Sequence, residues 1–195
     1  MSSRHRRAPR RPSRSARGRL AGLGMGLSLG LGLGLDVGLT ACSPTLDWRT
    51  ARLGDDLELQ FPCKPDRIER QVPVLDRTVP ALMLVCDAGG QTWSATRFEW
   101  TDAARSAQAL RELRHRLLLN MKAGEDQSEP ASVLGMTPNA EARRSRLVGV
   151  RPDGSAAHAQ ALFAEHGARL YQLVVIAAQP APEPSLAPSA EFLDA

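Results

Sequence analysis

The side chains that most often perform chemistry are present in this 195-residue chain, but their spacing predicts no catalytic or metal centre. The four histidines are His5, His115, His158 and His166, and none has an i+4 partner of the kind that helical metal sites use. The pattern Gly-x-Ser-x-Gly occurs only at residues 26–30, inside an apolar run near the amino terminus, and no serine has a neighbouring general base evident from the sequence, so a serine nucleophile is not predicted. The carboxylates are scattered and neither support nor exclude two-acid hydrolysis. We therefore identify no catalytic residue, metal ligand or cofactor site from the sequence.

One cysteine lies in a specific pattern near the amino terminus. Residues 1–19 contain eight arginines and no acid, which is typical of a segment retained on the cytoplasmic side of a membrane. Residues 20–41 form an apolar run of Leu and Gly that is interrupted by Asp36. The run ends in Leu39-Thr40-Ala41-Cys42, which resembles the lipobox of bacterial lipoproteins.

The resemblance implies that the Cys42 thiol receives a diacylglyceryl group and that residues 1–41 are removed as a signal peptide. Two or three acyl chains hold a protein at a bilayer far longer than one chain does. The membrane is then a partner through the lipid on Cys42. Ser43 follows the cysteine, which by resemblance to enterobacterial sorting favours the outer membrane. We expect a lipid-anchored protein of a Gram-negative cell envelope that faces the periplasm.

Three other interpretations of the leader remain open. Residues 20–41 are long enough to span a bilayer as an uncleaved helix, although seven glycines and Asp36 weaken such a helix. The run could also be an ordinary signal peptide without lipid. The basic segment could bind nucleic acid.

The charge distribution argues against a nucleic-acid partner. The whole chain has a net charge of +4, but residues 42–195 carry about −3 because the arginine-rich leader holds the excess. Such a body has no basic surface for a polyanion. A local basic cluster is nevertheless present, and it fits either a solvated strand face or a contact with anionic lipid or peptidoglycan. Its members are Arg143, Arg144, Arg146 and Arg151.

Cys63 and Cys86 are the remaining cysteines, and we predict a disulfide between them. Paired cysteines of an exported domain are usually bridged, because the compartment is oxidising. If residues 70–74 and 79–86 form a hairpin, both cysteines fall at the same end of the sheet. Two unpaired buried thiols are the alternative.

Apolar and polar residues alternate in several short segments, as in half-buried strands. Turn sequences such as Asp87-Ala88-Gly89-Gly90 separate them and indicate an antiparallel meander. The predicted strands are 57–61, 79–86, 91–100, 147–150, 158–163 and 170–177, with 70–74 and 131–136 as weaker candidates.

A single long helix is predicted over about residues 102–122. Apolar residues recur there at helical spacing from Ala103 to Met121, and Thr101 and Asp102 suit an N-cap and first turn. The stripe indicates packing against a sheet. Residues 179–195 are rich in Pro and Ala and predict a tail that could end in a short docked helix.

The order of elements predicts an α+β fold with an antiparallel sheet of about six or seven strands packed by one helix. We expect residues 42–56 to be a tether and residues 57–178 to be a single domain. The Phe-Pro end of the first strand, the central helix and the Pro-Asp-Gly hairpin before Leu-Tyr-Gln-Leu-Val-Val resemble uncharacterised proteobacterial lipoproteins. The order is also similar to the PsbP-like fold.

These resemblances imply a binding or envelope-assembly module more than an enzyme. The expected partner is an envelope protein, a glycan or a lipid. The alternatives are a hydrolase-type envelope enzyme whose site comes from residues distant in sequence, and a single-span membrane protein with an uncleaved 20–41 helix.

Overall fold

The computed structural model describes residues 46–124 and 126–178. The expected signal peptide 1–41, the expected lipidation residue Cys42 and the tail 179–195 with its predicted helical end lie outside the described residues.

Within these described residues, seven strands form one antiparallel sheet with the spatial order β3-β4-β5-β9-β8-β7-β6, and two shorter strands form a separate hairpin. The hairpin consists of β1 (Arg49–Arg52) and β2 (Glu58–Phe61). The sheet consists of β3 (Asp66–Val74), β4 (Arg77–Ala88), β5 (Gln91–Glu99), β6 (Asp126–Pro130), β7 (Arg143–Val150), β8 (Ala156–His166) and β9 (Arg169–Ala177). With one helix, this confirms the predicted α+β class.

The sheet is built from two meanders that meet at its centre. Strands β3 to β5 form the first and β6 to β9 form the second. They join where β5 pairs with β9, from Gln91 opposite Ala177 to Glu99 opposite Arg169. The connection between the two meanders contains the helix. It leads from β5 at the centre of the sheet to β6 at one edge, and the chain returns to pair β9 with β5.

The central strands are buried on both faces. In β9, Leu170 and Val174 lie in the core under the helix, whereas Tyr171, Leu173 and Val175 lie in a second core on the other face. A strand covered on both sides reads as a nearly continuous apolar run and not as a strict alternation. This explains why residues 170–177 gave the clearest strand prediction.

Helix α1 (Ser106–Asn120) follows a 3-10 turn (Ala103–Arg105) and covers one face of the sheet. Its fully or nearly buried side chains are spaced three and four residues apart, as an amphipathic helix requires. They are Ala109, Leu110, Leu113, Leu117 and the adjoining Met121.

The predicted N-cap differs from the structure. The Asp102 side chain makes no capping hydrogen bond. Its Oδ2 instead accepts a hydrogen bond from Arg77 Nη2 at 3.1 Å. The Arg77 guanidinium lies 5.0 Å from the centre of the Trp100 ring, so the ion pair is placed beside an aromatic surface. The partner from β4 competes with the helix amides for the carboxylate, and sequence spacing alone cannot indicate that partner.

The hairpin covers the opposite face. Leu59 and Phe61 point inward from β2, and Leu53, which follows β1, is completely buried. Strand β1 therefore lies within the segment 42–56 that the sequence indicated as a tether. Because three of its four side chains are exposed, β1 has no apolar alternation that would have revealed it.

The edge strand β6 corrects one strand prediction. Residues 131–136 do not form a strand; they are irregular, and Ala131, Val133 and Met136 pack against the hairpin-side core. The strand is instead Asp126–Pro130, which pairs with β7. Its last four residues are exposed and polar or Pro, so hydrophobic periodicity has no signal there.

Gly149 allows the end of the helix to approach β7, and we predict that Gly149→Ala destabilises the fold. A Cβ at this position would lie 2.2 Å from the carbonyl oxygen of Met121. The same oxygen accepts a 2.7 Å hydrogen bond from the Val150 amide, so it cannot move freely. We expect the free energy of unfolding in urea to fall by ~1–3 kcal/mol, as in overpacked sites. Gly124→Ala is the matched control, because a Cβ there meets nothing within 4 Å. Equal stability of the two variants would contradict the prediction.

Candidate functional site

The described chain begins at one end of the sheet, which we call the entry end. It comprises residues 46–48 and the turns 62–65, 89–90 and 151–155. The Asp47 amide donates a 2.8 Å hydrogen bond to the Pro62 carbonyl, which fixes the first described residues beside the second of these segments. Arg151 lines the same shallow depression as the 89–90 turn. The entry end therefore combines four segments that are distant in sequence.

A disulfide joins Cys63 to Cys86 at this end and confirms the predicted pair. The Cα atoms are 6.2 Å apart, within the usual range for bridged cysteines. The register places Asp66 opposite Val85, so Cys86 lies just beyond the start of β3, as the predicted hairpin required. The bond attaches the connection between β2 and β3 to β4, and thus ties the hairpin cover to the sheet.

Two tryptophans meet at the entry end. The rings of Trp48 and Trp93 pack edge to face with centroids 5.9 Å apart. Trp93 is 1% exposed, and its Nε1 donates a 3.3 Å hydrogen bond to the Ala88 carbonyl. Trp48 is 38% exposed, so its ring covers Trp93 and also reaches solvent.

The predicted basic cluster is divided by the pleat of β7. Neighbouring side chains of a strand point to opposite faces. Arg143 therefore lies on the same face as the buried Leu147 and α1, while Arg144 and Arg146 lie on the other face. Arg151 is beyond the strand, near the 89–90 turn. The four arginines do not form one anion-binding surface.

A charged cluster lies on the hairpin side, where the loop after β1 meets β5 and β9. Asp56 accepts a hydrogen bond from the Tyr171 hydroxyl, and its oxygens lie 3.2 Å from guanidinium nitrogens of Arg97 and Arg169. Glu99 pairs with Arg97 at 2.7 Å. The side chains of Asp56 and Arg97 are each 15% exposed. The cluster contains two cations and two anions and is neutral as a whole.

Gly54 is required for this arrangement. Its φ of +83° favours glycine, and a Cβ there would lie 1.6 Å from Arg97 Nη1. The guanidinium thus occupies the space that any other residue would fill.

The ionisation of the cluster does not suit catalysis near neutral pH. Burial opposes the charge on Asp56, but the hydrogen bond from Tyr171 and the charges of Arg169 and Arg97 outweigh it and hold the pKa of Asp56 below its ordinary value. Burial, and then the hydrogen bond to Asp56 and its negative charge, raise the pKa of Tyr171 far above its ordinary value. A general acid or base works best with a pKa near the operating pH. The hydrogen bond between Tyr171 and Asp56 attaches the loop of the hairpin to the sheet.

A second buried carboxylate lies on β8, near the end of the strand that is opposite the entry end. Glu165 is 5% exposed, and its Oε2 accepts a 2.5 Å hydrogen bond from Asn139 Nδ2. The Glu165 carbonyl accepts a 2.7 Å bond from the Thr137 amide. Asn139 and Thr137 also line a cavity of about 330 Å³ whose other walls are largely small or apolar. The bonds attach the 131–142 loop to β8 and leave no reactive pair in the cavity wall.

The predicted chemistry-bearing residues are dispersed. His115 lies exposed on α1, and His158 is half-buried on β8 opposite Val148 and Ala177. The Nδ1 of His166 donates a 2.9 Å hydrogen bond to the Gly135 carbonyl. Within residues 46–124 and 126–178, no group of three or more His, Cys, Asp or Glu side chains is placed to hold a metal ion. No helix in that part of the chain is both long enough and apolar enough to cross a bilayer.

Comparisons with known proteins add little. No family model matches the sequence, and curated proteins give no match. One solved structure that is similar in part is PA94 from Pseudomonas aeruginosa, a protein of unknown function described as a candidate regulator. It is 13% identical, the alignment covers 73% of this chain and 90% of that chain, and the TM-score is 0.36. A likeness of this degree carries no argument about function.

The sequence did not reveal the Trp48–Trp93 contact or the Asp56 cluster. Asp56 is 115 residues from Tyr171 and 41 from Arg97, and none of these residues is part of a local motif. The one available signal is Gly54 followed by two aspartates, which predicts a turn but not the residues that the turn contacts.

We predict that removing the disulfide lowers stability without changing the fold. In the double variant Cys63→Ser/Cys86→Ser, the free energy of unfolding in urea should fall by ~3 kcal/mol in the chain-entropy model, because the unfolded chain loses a cross-link over a separation of 23 residues. Wild-type protein unfolded with a reductant present should match the variant. A double variant as stable as the oxidised wild type would rule the prediction out.

We also predict that Asp56 makes stability depend on acidity. A carboxyl whose pKa is lower in the folded than in the unfolded state stabilises the fold above the unfolded value, for which 3.8 is the reference, and this stabilisation is lost as the pH falls through the lowered folded value. Unfolding free energies measured from about pH 6 to about pH 2 should therefore fall more steeply for wild type than for Asp56→Asn.

The neighbouring variant Asp55→Asn makes the same change in net charge on an exposed side chain and is the matched control for Asp56→Asn. Tyr171→Phe removes one bond to the carboxylate and should cost about 1–2 kcal/mol at neutral pH. Parallel curves for wild type and Asp56→Asn would show that the cluster contributes nothing to acid sensitivity.

Proposed function

We propose that this chain is a lipoprotein of the bacterial cell envelope, held at a membrane through acyl chains on Cys42, and that its folded part is a binding or assembly module and not an enzyme. The observation that carries the proposal is Leu39-Thr40-Ala41-Cys42 at the end of an apolar run with an arginine-rich start.

The position of the folded domain supports the anchor. The first described residue is Leu46, four residues after Cys42, and the Asp47 amide is already bonded to the domain. Cleavage before Cys42 would release a chain that begins almost directly with the folded part. A lipid on that residue would hold the domain without a protein segment in the bilayer.

The disulfide supports an exported location. Bridged cysteines persist in the periplasm and outside cells and are rare in the cytosol of mesophiles. Cys63 and Cys86 are bonded in an ordinary geometry at the entry end. By the sorting resemblance at Ser43, we place the protein at the outer membrane, on its periplasmic side.

The chemistry of the polar clusters supports a binding role. Asp56 and Tyr171 have pKa values displaced away from neutrality in opposite directions, so neither exchanges a proton readily there. Glu165 is bonded to Asn139 and shielded from solvent. The domain instead offers an extended sheet with exposed edges, a surface suited to contact with an envelope protein, a glycan or a lipid.

The anchor is tested by growing cells with a clickable palmitate analogue and recovering the protein. We expect label on the wild type and none on Cys42→Ala, because the diacylglyceryl group has no other attachment point in the proposal. The variant Cys63→Ala/Cys86→Ala is the matched control and should keep its label.

Intact mass spectrometry of the same preparations gives the amino terminus. A wild-type protein that starts at Cys42 with added acyl mass supports the proposal. A protein that starts at Met1 without label would indicate the uncleaved 20–41 span and would overturn it. Crosslinking in intact cells from the labelled protein then identifies the class of partner.

A further inference from the structure

The chain between the proposed lipid and the domain is short, which limits how the domain can lie at a bilayer. The structure reduces the expected tether of residues 42–56 to the few residues before Asp47, because Asp47 is bonded to Pro62 and β1 begins at Arg49. An extended chain spans at most ~3.5 Å per residue, so the Trp48 Cα can be no more than about 20 Å from that of Cys42. The entry end must therefore remain beside the membrane surface.

Trp48 is the side chain at this end that fits a lipid surface. An indole has an apolar body and one polar N–H, and tryptophan is enriched where bilayers meet water. Trp48 exposes 38% of its surface, whereas Trp93 beneath it and Trp100 at the far end of β5 are each 1% exposed. The edge-to-face contact with Trp93 holds the exposed part of the ring at the margin of the domain.

The charges at the entry end do not favour one class of lipid. The four segments that define it contain Asp47, Lys64, Arg151 and Asp153, which are two acids and two bases. Asp47 also pairs with Arg49 at 2.5 Å. The arginines of β7 are divided between two faces, and Arg143 and Arg144 lie at the other end of the strand, opposite Phe163 and Leu162, so they do not supply a basic patch here. Attraction to an anionic headgroup is correspondingly small.

We propose that the entry end is a membrane-contacting surface, with the exposed edge of Trp48 lying in the headgroup region of the bilayer that holds the lipid on Cys42. This inference rests on the proposed anchor and adds an orientation to it. The contact is apolar, so it is independent of lipid charge. The opposite end of the sheet, with Trp100 and the turn between β3 and β4, then points away from the membrane and is open to a partner.

The test uses the purified, acylated protein in vesicles of phosphatidylcholine whose chains are brominated close to the headgroup. Bromine quenches tryptophan fluorescence only at short range. We expect quenching of wild-type emission relative to unbrominated vesicles, and loss of most of that quenching in Trp48→Phe. Trp100→Phe is the matched control and should retain it, because β5 separates Trp100 from Trp93 by about 23 Å at 3.3 Å per residue. Adding phosphatidylglycerol should leave the quenching unchanged.

Acyl mass on Cys42 is measured in the same samples, so the two proposals can fail separately. Protein that carries the acyl groups but shows no Trp48-dependent quenching would overturn the orientation and leave the anchor intact. Quenching that appears only with phosphatidylglycerol would also overturn it, because the contact would then be electrostatic. Protein without acyl groups would overturn the anchor and, with it, the orientation.

Discussion

The central strands β5 and β9 are largely buried on both faces, and the stability of the domain depends on covering both. Helix α1 covers one face through residues such as Leu110 and Leu113. The other face is covered by the β1–β2 hairpin through Leu53, Leu59 and Phe61. A two-stranded hairpin is marginal by itself. It is attached to the sheet at one end by the disulfide and near the other end by the Asp56 cluster. These contacts make a short hairpin an adequate second layer.

Much of the fold could be predicted from the sequence, because buried positions of helices and strands produce recognisable patterns of apolar residues. The apolar stripe of the helix from Ala109 to Leu117 can be recognised because that side packs against the sheet. The apolar run of β9 can be recognised because both faces of the strand are covered. Elements that bury little left no such record. β1 and β6 expose nearly all of their side chains. The sequence therefore placed β1 within an expected tether and predicted a strand at residues 131–136 instead of at β6. Pairing of β5 with β9 is likewise a property of the whole chain, since the two strands are about 80 residues apart.

The polar sites divide in the same way. The Cys63–Cys86 bond could be predicted because only two cysteines remained for the domain and a local hairpin brought them together. The cluster of Asp56, Arg97 and Tyr171 could not, because its members come from three segments and each is an ordinary residue in its own segment. The arginines grouped in the sequence of β7 are separated in the structure for a simpler reason. Adjacent side chains of a strand point to opposite faces of the sheet, so arginines that are neighbours in sequence do not share one surface.

The hairpin cover is also the part of the domain through which the chain arrives. Any force transmitted from an anchor at Cys42 would reach Asp47 first, and beyond it a strand that shields one of the two cores. Without fastenings, motion at the membrane would loosen that core. The disulfide opposes such loosening, because it bonds the segment that follows β2 directly to β4 at the entry end. The Trp48–Trp93 contact lies between the same two layers and gives the first residues an apolar surface on which to rest. The hairpin is thus attached to the sheet at both ends, so a pull from the proposed anchor at Cys42 would act on a layer that is bonded to the rest of the domain.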